Sequence, residues 1–200
     1  MQSGIKISGV VLAAGQSTRM GRDKLLLPFR GKTILEHVIA AACNSLLSEV
    51  IVVVPCSYAT SCLDMSGCKV VTSPNREMGQ AESVKAGLAA IAQDCDGCAV
   101  ILGDLPLLTP ESINRLVQTF MNRPEQWVVP MNNGTRGNPV IIPARWFGEV
   151  FKLSGDAGAR QLFSRPEASL HFMEADDVGF YFDVDTVEQY QKLLLQYGEE

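Results

Sequence analysis

The stretch from Val10 to Lys24, VVLAAGQSTRMGRDK, constrains this chain more than any other part of it. An apolar run over Ile7–Ala13 leads directly into a loop that holds two glycines, two hydroxyl side chains, Arg19 and Lys24. Glycines let backbone N–H groups approach an anion closely, and the two cations neutralise its charge. The pattern therefore predicts a phosphate-binding loop at the end of a strand, with a triphosphate as the ligand.

The spacing of this loop separates it from two common phosphate-binding motifs. A P-loop requires Gly-x4-Gly-Lys-Ser/Thr, whereas Gly15 and Gly21 enclose five residues and Arg22 follows Gly21. The dinucleotide-binding motif Gly-x-Gly-x-x-Gly does not occur in the chain. The pattern that fits is L-A-A-G-x-S-x-R-M-G-x-x-K. It resembles the opening signature of nucleotidyltransferases, which attach a nucleoside monophosphate to an acceptor phosphate.

Composition narrows the class of protein. The 200 residues are 46% hydrophobic, which suits one domain with a sizeable core. The net charge of −5 argues against a broad nucleic-acid-binding surface. We identify neither a secretory signal nor an apolar stretch long enough to cross a membrane, and so expect a cytoplasmic protein.

The six cysteines allow a different interpretation. Cys95 and Cys98 form a C-x-x-C, and a zinc site could combine them with Cys62 and Cys68. The Cys62–Cys68 gap is wide for a ligand pair, however, and Cys98 opens a strand rather than a helix. Ordinary thiols are therefore favoured over a redox or zinc module, which stays as an alternative.

Alternating apolar runs and helical periodicities predict an α/β fold, a mostly parallel central sheet flanked by helices. The expected strands are Ile7–Ala13, Val50–Val54, Lys69–Thr72, Cys98–Leu102 and Trp127–Pro130. Four helices are expected: one after Thr33, one over Gln80–Gln93, one after Thr109 and one after Thr186. The apolar face of the first is Ile34, Leu35, Val38, Ile39 and Ala42. The inner face of the third is Ile113, Leu116, Val117 and Phe120, and that of the last is Val187, Tyr190 and Leu194.

We predict a single domain over residues 1–200. Its nucleotide-binding part spans 1–130, because the alternation of strands and helices is regular there. A Gly/Asn/Arg-rich connection and a different mixture of strand and helix predict an acceptor-binding elaboration over 131–177. A closing strand and helix are expected over 178–200.

Acidic residues follow two of the expected strands. Asp104 lies just after Cys98–Leu102, at the sheet edge where ligands of open α/β sheets bind, so we expect it to hold Mg²⁺ against triphosphate oxygens. A turn-capping role before Pro106 is the structural alternative. Asp183 and Asp185 are two apart, which on a strand places them on one face. Asp183 is the better metal candidate, whereas Asp185 is as well explained by the start of the last helix.

Three further polar clusters are candidate binding loops. Gln80 and Ser83 lie at a helix N-terminus, where they suit a base edge or a ribose hydroxyl, unless they are a routine cap. The segments Arg136-Gly137-Asn138-Pro139 and Gly155-Asp156-Ala-Gly158-Ala-Arg160 suit anions or a polar substrate, although both are also common turn sequences.

Together these motifs resemble the molybdenum cofactor cytidylyltransferase family, which belongs to the MobA-like nucleotidyltransferases of GT-A-like fold. The resemblance covers almost the whole chain through LAAGQSTRMGRDKLLLP, GQAESVKAG, GDLPLLTPE, RGNPV, GDAGAR and FDVDT. The fourth motif often reads RGHP in the family, and Asn138 replaces that histidine. Guanylyltransferases that act on the same cofactor typically read L-A-G-G where this chain reads L-A-A-G, with Ala13-Ala14 in the middle. The methyl group of the second alanine narrows the pocket for the base. The resemblance therefore favours CTP over GTP.

The resemblance implies attack by the cofactor's terminal phosphate on the α-phosphorus of CTP, with release of pyrophosphate. Its implied catalytic residues are Arg19, Lys24 and Asp104, with Asp104 and Asp183 on Mg²⁺, or alternatively Mn²⁺. The implied nucleotide-binding residues are Leu12, Ala13, Ala14, Gly15, Ser17, Arg19, Lys24, Gln80, Ser83 and Gly103. The implied acceptor-binding residues are Arg136, Gly137, Asn138, Pro139, Asp156, Arg160 and Asp185.

The family also implies transient contact with an apoenzyme similar to xanthine dehydrogenase. Two alternatives stay open at this point. The chain could be a cytidylyl- or guanylyltransferase for another phosphorylated metabolite, or a protein that binds nucleotide and delivers cofactor without turnover. A GT-A glycosyltransferase is disfavoured because Leu105-Pro106 follows Asp104 where that class has Asp-x-Asp.

Overall fold

The protein is described from a computed structural model that covers residues 4–14, 23–56, 63–73, 79–155 and 158–198. Its strands are β1 (Ile7–Leu12), β2 (Pro28–Phe29), β3 (Lys32–Thr33), β4 (Glu49–Pro55), β5 (Lys69–Ser73), β6 (Gly97–Leu102), β7 (Trp127–Asn132), β8 (Thr135–Arg136), β9 (Val140–Pro143) and β10 (Leu170–Glu174). Its helices are α1 (Ile34–Cys43), α2 (Gln80–Leu88), α3 (Pro110–Met121), α4 (Phe147–Val150) and α5 (Val187–Tyr197). Short 3₁₀ helices span Lys24–Leu26, Ala144–Trp146, Gly158–Ser164 and Val178–Phe180.

One mixed sheet of eight strands organises the molecule, in the order β10-β7-β9-β6-β1-β4-β5, with β8 paired to β7. Strand β1 pairs in parallel with β4 on one side and β6 on the other, and β4 pairs in parallel with β5. Strand β9 runs antiparallel to both β6 and β7. The predicted α/β fold with a mostly parallel sheet is therefore confirmed.

Two helices begin where local sequence predicts. The Thr33 side chain accepts from Glu36 N while Glu36 accepts from Thr33 N, which is a complete capping box. Thr109 caps α3, with Pro110 in its first turn. The predicted inner faces of α1 and α3 are buried.

Three expectations near the helices and the C-terminus are wrong. Helix α2 ends at Leu88 rather than Gln93. The buried face of α5 is Tyr190 and Leu193, whereas Val187 and Leu194 are about 40% exposed. No strand occurs within 178–198, because residues 178–180 form a 3₁₀ helix and the chain then runs irregularly to α5.

Apolar side chains pack against both faces of the sheet. Helices α1, α3 and α5 cover one face, with Val11, Ile101 and Phe120 in that layer. Helices α2 and α4 cover the other, with Val10, Val100 and Trp127. The burial of both faces explains why β1, β4 and β6 read as continuous apolar runs. None of the described helices is long and apolar enough to span a membrane.

Gly87 lets α2 pack directly on the sheet, which yields a stability prediction. A Cβ at this position would overlap Val10 Cγ1 and lie 3.2 Å from Val53 Cγ2. We expect Gly87→Ala to lower the free energy of unfolding by about 1–3 kcal/mol through overpacking. The control Gly148→Ala, in α4, meets no atom within 4 Å and should be neutral or slightly stabilising. Urea denaturation compares them, and equal stabilities would contradict the packing account.

Candidate active site

The ends of β1 and β6 meet at one edge of the sheet. Gly103 N donates to Leu12 O at 3.0 Å, and Ala13 N donates to Val53 O at 2.8 Å. A Cβ on Gly103 would lie 2.9 Å from Leu12 O, so only glycine permits this approach without a shift. The predicted nucleotide-binding residues Leu12, Ala13 and Gly103 are thereby brought together, with Asp104 directly beyond them.

Lys24 joins two carboxylates that are far apart in sequence. Its Nζ lies 2.5 Å from Asp104 Oδ2 and 2.5 Å from Asp185 Oδ1. The Asp23 side chain caps the 3₁₀ helix Lys24–Leu26 by accepting from Leu25 N, which fixes the backbone beneath the lysine. The Lys24 and Asp104 side chains are only 13% and 15% exposed, so water screens their attraction weakly.

Charge and burial oppose each other within this cluster. Burial alone would lower the pKa of Lys24, but the charges and hydrogen bonds of Asp104 and Asp185 outweigh it, and the pKa is raised. Burial raises the pKa of Asp183, and the neighbouring charges of Asp104 and Asp185 raise it further. A raised carboxyl pKa means that ionising Asp183 costs folding free energy, so its contribution to stability falls as the pH rises through its titration.

The segment leading into α5 is fixed directly to Asp104. Val184 N donates to Asp104 O at 3.0 Å. The Gln189 Oε1 accepts from Asp185 N at 2.8 Å and from Thr186 N, and its Nε2 lies 3.4 Å from Asp183 Oδ1. Residues 183–185 are thus held by the cap of α5 and not by strand pairing. Their path nevertheless brings the carboxylates of Asp183 and Asp185 close to Asp104.

The carboxylates offer a place for a divalent cation. Asp104 Oδ1 is buried and has no hydrogen-bond partner among the described residues, so it has the capacity to bind a ligand. Within the described residues no group of three or more His, Cys, Asp or Glu side chains is arranged around a common metal position. Magnesium is usually held by one or two carboxylates together with substrate phosphates, and Asp104 with Asp183 nearby fits that pattern.

The N-terminus of α2 lies beside the loop of the GDAGAR segment. Ala81 N donates to Gly155 O at 3.2 Å, and a Cβ on Gly158 would lie 2.8 Å from Gln80 Oε1. Gln80 is exposed, whereas Ser83 is buried with its hydroxyl 3.5 Å from Ser73 Oγ. The N-cap residue of α2 is Gly79, which makes no side-chain cap hydrogen bond.

The Arg136–Pro139 segment packs against the chain that leads to Asp183. Asn138 N donates to Phe180 O at 2.9 Å, and the Asn138–Pro139 peptide bond is cis. A Cβ on Gly137 would lie 2.8 Å from Phe180 O, which explains a glycine here. Arg160 is exposed in the 3₁₀ helix Gly158–Ser164, and the structure shows no contact that joins it to Asp104.

Several predicted residues lie outside the described part of the chain: Gly15, Ser17, Arg19, Asp156 and Cys62.

Among the described cysteines, Cys98 is buried and burial raises its thiol pKa, while burial raises that of Cys68 to about 11. Both thiols are therefore poor nucleophiles at neutral pH. The Cys95 thiol donates to Gly97 O, as expected of an ordinary buried cysteine.

Sequence reasoning missed the contribution of Gln189. The Thr186–Gln189 capping pattern is visible in the sequence, but nothing there indicates that the same amide reaches Asp183. Nothing local in the sequence indicates that Asp185, the acidic residue at the start of the last helix, forms an ion pair with Lys24.

A comparison with protein-family models completes this description. The MobA-like NTP transferase domain matches residues 9–170. The chain belongs to this family. The purine catabolism protein PucB of Bacillus subtilis is 33% identical, and the alignment covers 91% of this chain and 93% of PucB. The nicotine blue oxidoreductase of Paenarthrobacter nicotinovorans is 31% identical, with 94% of this chain and 96% of that protein covered. The molybdenum cofactor cytidylyltransferase of Escherichia coli is 25% identical, with 96% of this chain and 98% of that protein covered.

Solved structures agree with this assignment. Rv0371c from Mycobacterium tuberculosis superposes with a TM-score of 0.86 at 28% identity, covering 96% of this chain and 99% of its own. A complex of Rv0371c with manganese superposes with a TM-score of 0.80 at 24% identity, covering 96% of this chain and 99% of its own, and shares the same fold.

The ion pairs of Lys24 predict a large loss of stability when the cation is removed. We expect Lys24→Met to lower the free energy of unfolding by about 2–4 kcal/mol at pH 7, because it leaves the largely buried Asp104 carboxylate without its cation. The pKa of Lys24 is raised by its ion pairs, so its stabilisation is fully present at pH 7 and is lost as the pH rises through its titration above 10.5. The deficit of the variant should therefore be smaller at about pH 11 than at pH 7.

The control is Lys152→Met, which removes an exposed ion pair with Glu149 and should change stability by less than about 1 kcal/mol. Denaturation at both pH values gives the comparison. A pH-independent deficit for Lys24→Met would point to lost packing of the side chain and not to charge.

Proposed function

We propose that this protein transfers CMP from CTP to the terminal phosphate of the molybdenum cofactor, releasing pyrophosphate and forming the cytosine dinucleotide. Membership of the MobA-like NTP transferase family supports the nucleotidyl transfer. One observation carries the proposal: Lys24 and Asp104, with its free carboxylate oxygen, lie together at the edge where β1 and β6 end. That arrangement offers both a cation and an acidic metal ligand to one triphosphate.

The choice of acceptor rests on the E. coli cytidylyltransferase, which aligns over nearly the whole of both chains. The RGNP and GDAGAR segments match the acceptor half of that family's pattern. The alternatives are another phosphorylated metabolite as acceptor and nucleotide binding without turnover. PucB and the nicotine blue oxidoreductase are more similar in sequence, so the test must include the acceptor itself.

The chain's own residues would act by alignment and by electrostatics. Backbone groups from Leu12 to Ala14 would hold the base and sugar, with Gln80 on the opposite side. Lys24, with Arg19, would stabilise negative charge that develops on the triphosphate and on the departing pyrophosphate. Phosphoryl transfer asks for little covalent chemistry from the protein, so positioning of this kind is sufficient.

A Mg²⁺ or Mn²⁺ ion, when bound, would neutralise the triphosphate oxygens and polarise the α-phosphorus. Asp104 would ligate it through Oδ1, which accepts no hydrogen bond from the part of the chain that the structure describes, and Asp183 would assist. Asp185 would hold Lys24 in place when Asp104 turns to the metal.

The test is pyrophosphate release from CTP with Mg²⁺ and purified molybdenum cofactor. We expect Asp104→Asn to reduce kcat by about 10²-fold or more, the scale seen for removal of one group that stabilises transition-state charge. The matched control Asp94→Asn removes an exposed carboxylate paired with Lys6 and should leave kcat unchanged. Cofactor-independent release, or none despite CTP binding, would reject the proposed reaction.

Base selectivity gives a second test. Ala14 is only 4% exposed, at the position where guanylyltransferases for this cofactor have glycine. We expect Ala14→Gly to raise kcat/KM for GTP relative to CTP by about 10-fold, the effect of one methyl group in a binding pocket. Competition between the two nucleotides measures the ratio directly. A ratio within twofold of wild type would remove Ala14 from the base pocket.

A further inference from the structure

The Gln189 side chain lies between a helix cap and a carboxylate of the candidate active site. Its Oε1 accepts hydrogen bonds from Asp185 N at 2.8 Å and from Thr186 N at 2.9 Å. Its Nε2 lies 3.4 Å from Asp183 Oδ1. One amide therefore joins the first turn of α5 to the side chain of Asp183.

These contacts determine which way the amide points. A glutamine amide accepts at its oxygen and donates twice at its nitrogen. The two backbone N–H groups require the oxygen on their side, so the nitrogen must face Asp183. Within the ranges that the structure describes, no other side chain donates a hydrogen bond to Asp183.

The capping box of α1 shows why an amide is used in α5. Glu36 caps α1 in the same way, since its Oε2 accepts from Thr33 N at 2.7 Å. Its other oxygen, Oε1, accepts from Asp64 N at 3.0 Å, so a carboxylate satisfies both ends. The far end of Gln189 meets an acceptor instead. Capping alone fits either residue, whereas the contact with Asp183 requires a donor.

Asp183 is half-buried and lies among like charges. The charges of Asp104 and Asp185 both act on its carboxylate. Repulsion turns neighbouring carboxylates away from one another, whereas a metal ligand must be held toward the cation. A hydrogen bond from a fixed N–H group opposes that rotation. Gln189 supplies such a group, which an ionised aspartate cannot do.

The position of Gln189 is itself fixed by the helix and the core. Its backbone N donates to the Thr186 hydroxyl at 3.2 Å. The next residue, Tyr190, is buried and donates from its hydroxyl to Pro28 O at 2.6 Å, and Leu193 is fully buried one turn further on. The amide is therefore presented from a rigid element, as precise orientation of a ligand requires.

We propose that Gln189 is a positioning residue of the candidate metal site, whose amide orients the Asp183 carboxylate toward the divalent cation while it caps α5. This role rests on the proposed function, because it takes Asp104 and Asp183 as the metal ligands. Groups that hydrogen-bond to a metal ligand typically contribute about 10- to 100-fold to metal affinity.

Binding of Mn²⁺ in the presence of CTP, followed through the electron paramagnetic resonance signal of free Mn²⁺, tests this role. Gln189→Met keeps an unbranched side chain of similar length and removes the amide. We expect it to weaken Mn²⁺ binding about 10-fold or more. The matched control Glu36→Met removes the equivalent cap from α1 and should leave Mn²⁺ affinity within twofold of wild type. Equal effects of the two variants would overturn the proposal.

A double-mutant cycle separates action through Asp183 from a general loss of structure. Asp183→Ala removes both the metal ligand and the acceptor of the Gln189 amide. In that background, Gln189→Met should weaken Mn²⁺ less than about 3-fold further, because the group it positions is already gone. The same loss in both backgrounds would mean that Gln189 acts only as a cap, and would overturn the proposal.

Gln189→Glu keeps the test decisive if Gln189→Met fails to fold. This variant retains the acceptor for the cap, so its thermal midpoint should stay within a few degrees of wild type. It cannot donate to Asp183 and repels it, so we expect Mn²⁺ to bind about 3-fold or more weakly than in wild type. Binding as tight as in wild type, or tighter, would overturn the positioning role.

The two proposals fail in different ways. Mn²⁺ binding that depends on Gln189, without transfer of CMP to the molybdenum cofactor, would reject the proposed function and retain the positioning role. Transfer of CMP with unchanged Mn²⁺ affinity in Gln189→Met would do the reverse. Absence of Mn²⁺ binding by the wild type in the presence of CTP would reject the metal site on which both rest.

Discussion

The parallel pairing of β1 with both β4 and β6 is the constraint on which the site depends. It carries the segments after Leu12 and after Leu102 to one edge of the sheet, although ninety residues separate them in sequence. Gly103 then lets the two ends approach more closely than any side chain would permit. Without this pairing, Leu12–Ala14 and Asp104 would not lie at the same edge of the sheet.

Electrostatic balance at this edge comes from three separate segments. Asp104 follows β6, Asp185 precedes α5, and Lys24 begins the 3₁₀ helix Lys24–Leu26. Tyr190 Oη donates to Pro28 O at 2.6 Å, which ties α5 to the β2–β3 hairpin close to Lys24. The last helix therefore serves the site as well as the core: it positions the carboxylate that holds the lysine.

Local signals in the sequence predict those features that local interactions determine. The capping boxes at Thr33 and Thr186 form within four residues, and both occur as expected. The inner face of α5 depends instead on where tertiary contacts turn the helix, so Leu193 is buried where Leu194 was expected. The irregular path of residues 183–185 depends on the Val184–Asp104 hydrogen bond, which no local pattern encodes.

Relatives with different names align with this chain over nearly its whole length. Differences in specificity between them must therefore come from changes within the same fold. A purine catabolism protein, an oxidoreductase and a cytidylyltransferase all align over more than nine-tenths of this chain. Under the proposed function, a nucleotide-binding edge common to these proteins would not distinguish their substrates, since binding common to all partners contributes nothing to discrimination. Specificity for the acceptor would then come from the segments that the proposal assigns to it, the Arg136–Pro139 segment and the 3₁₀ helix Gly158–Ser164. Both segments follow the regular alternation of strands and helices in the first half of the chain, and a change in either need not disturb the pairing of β1 with β6.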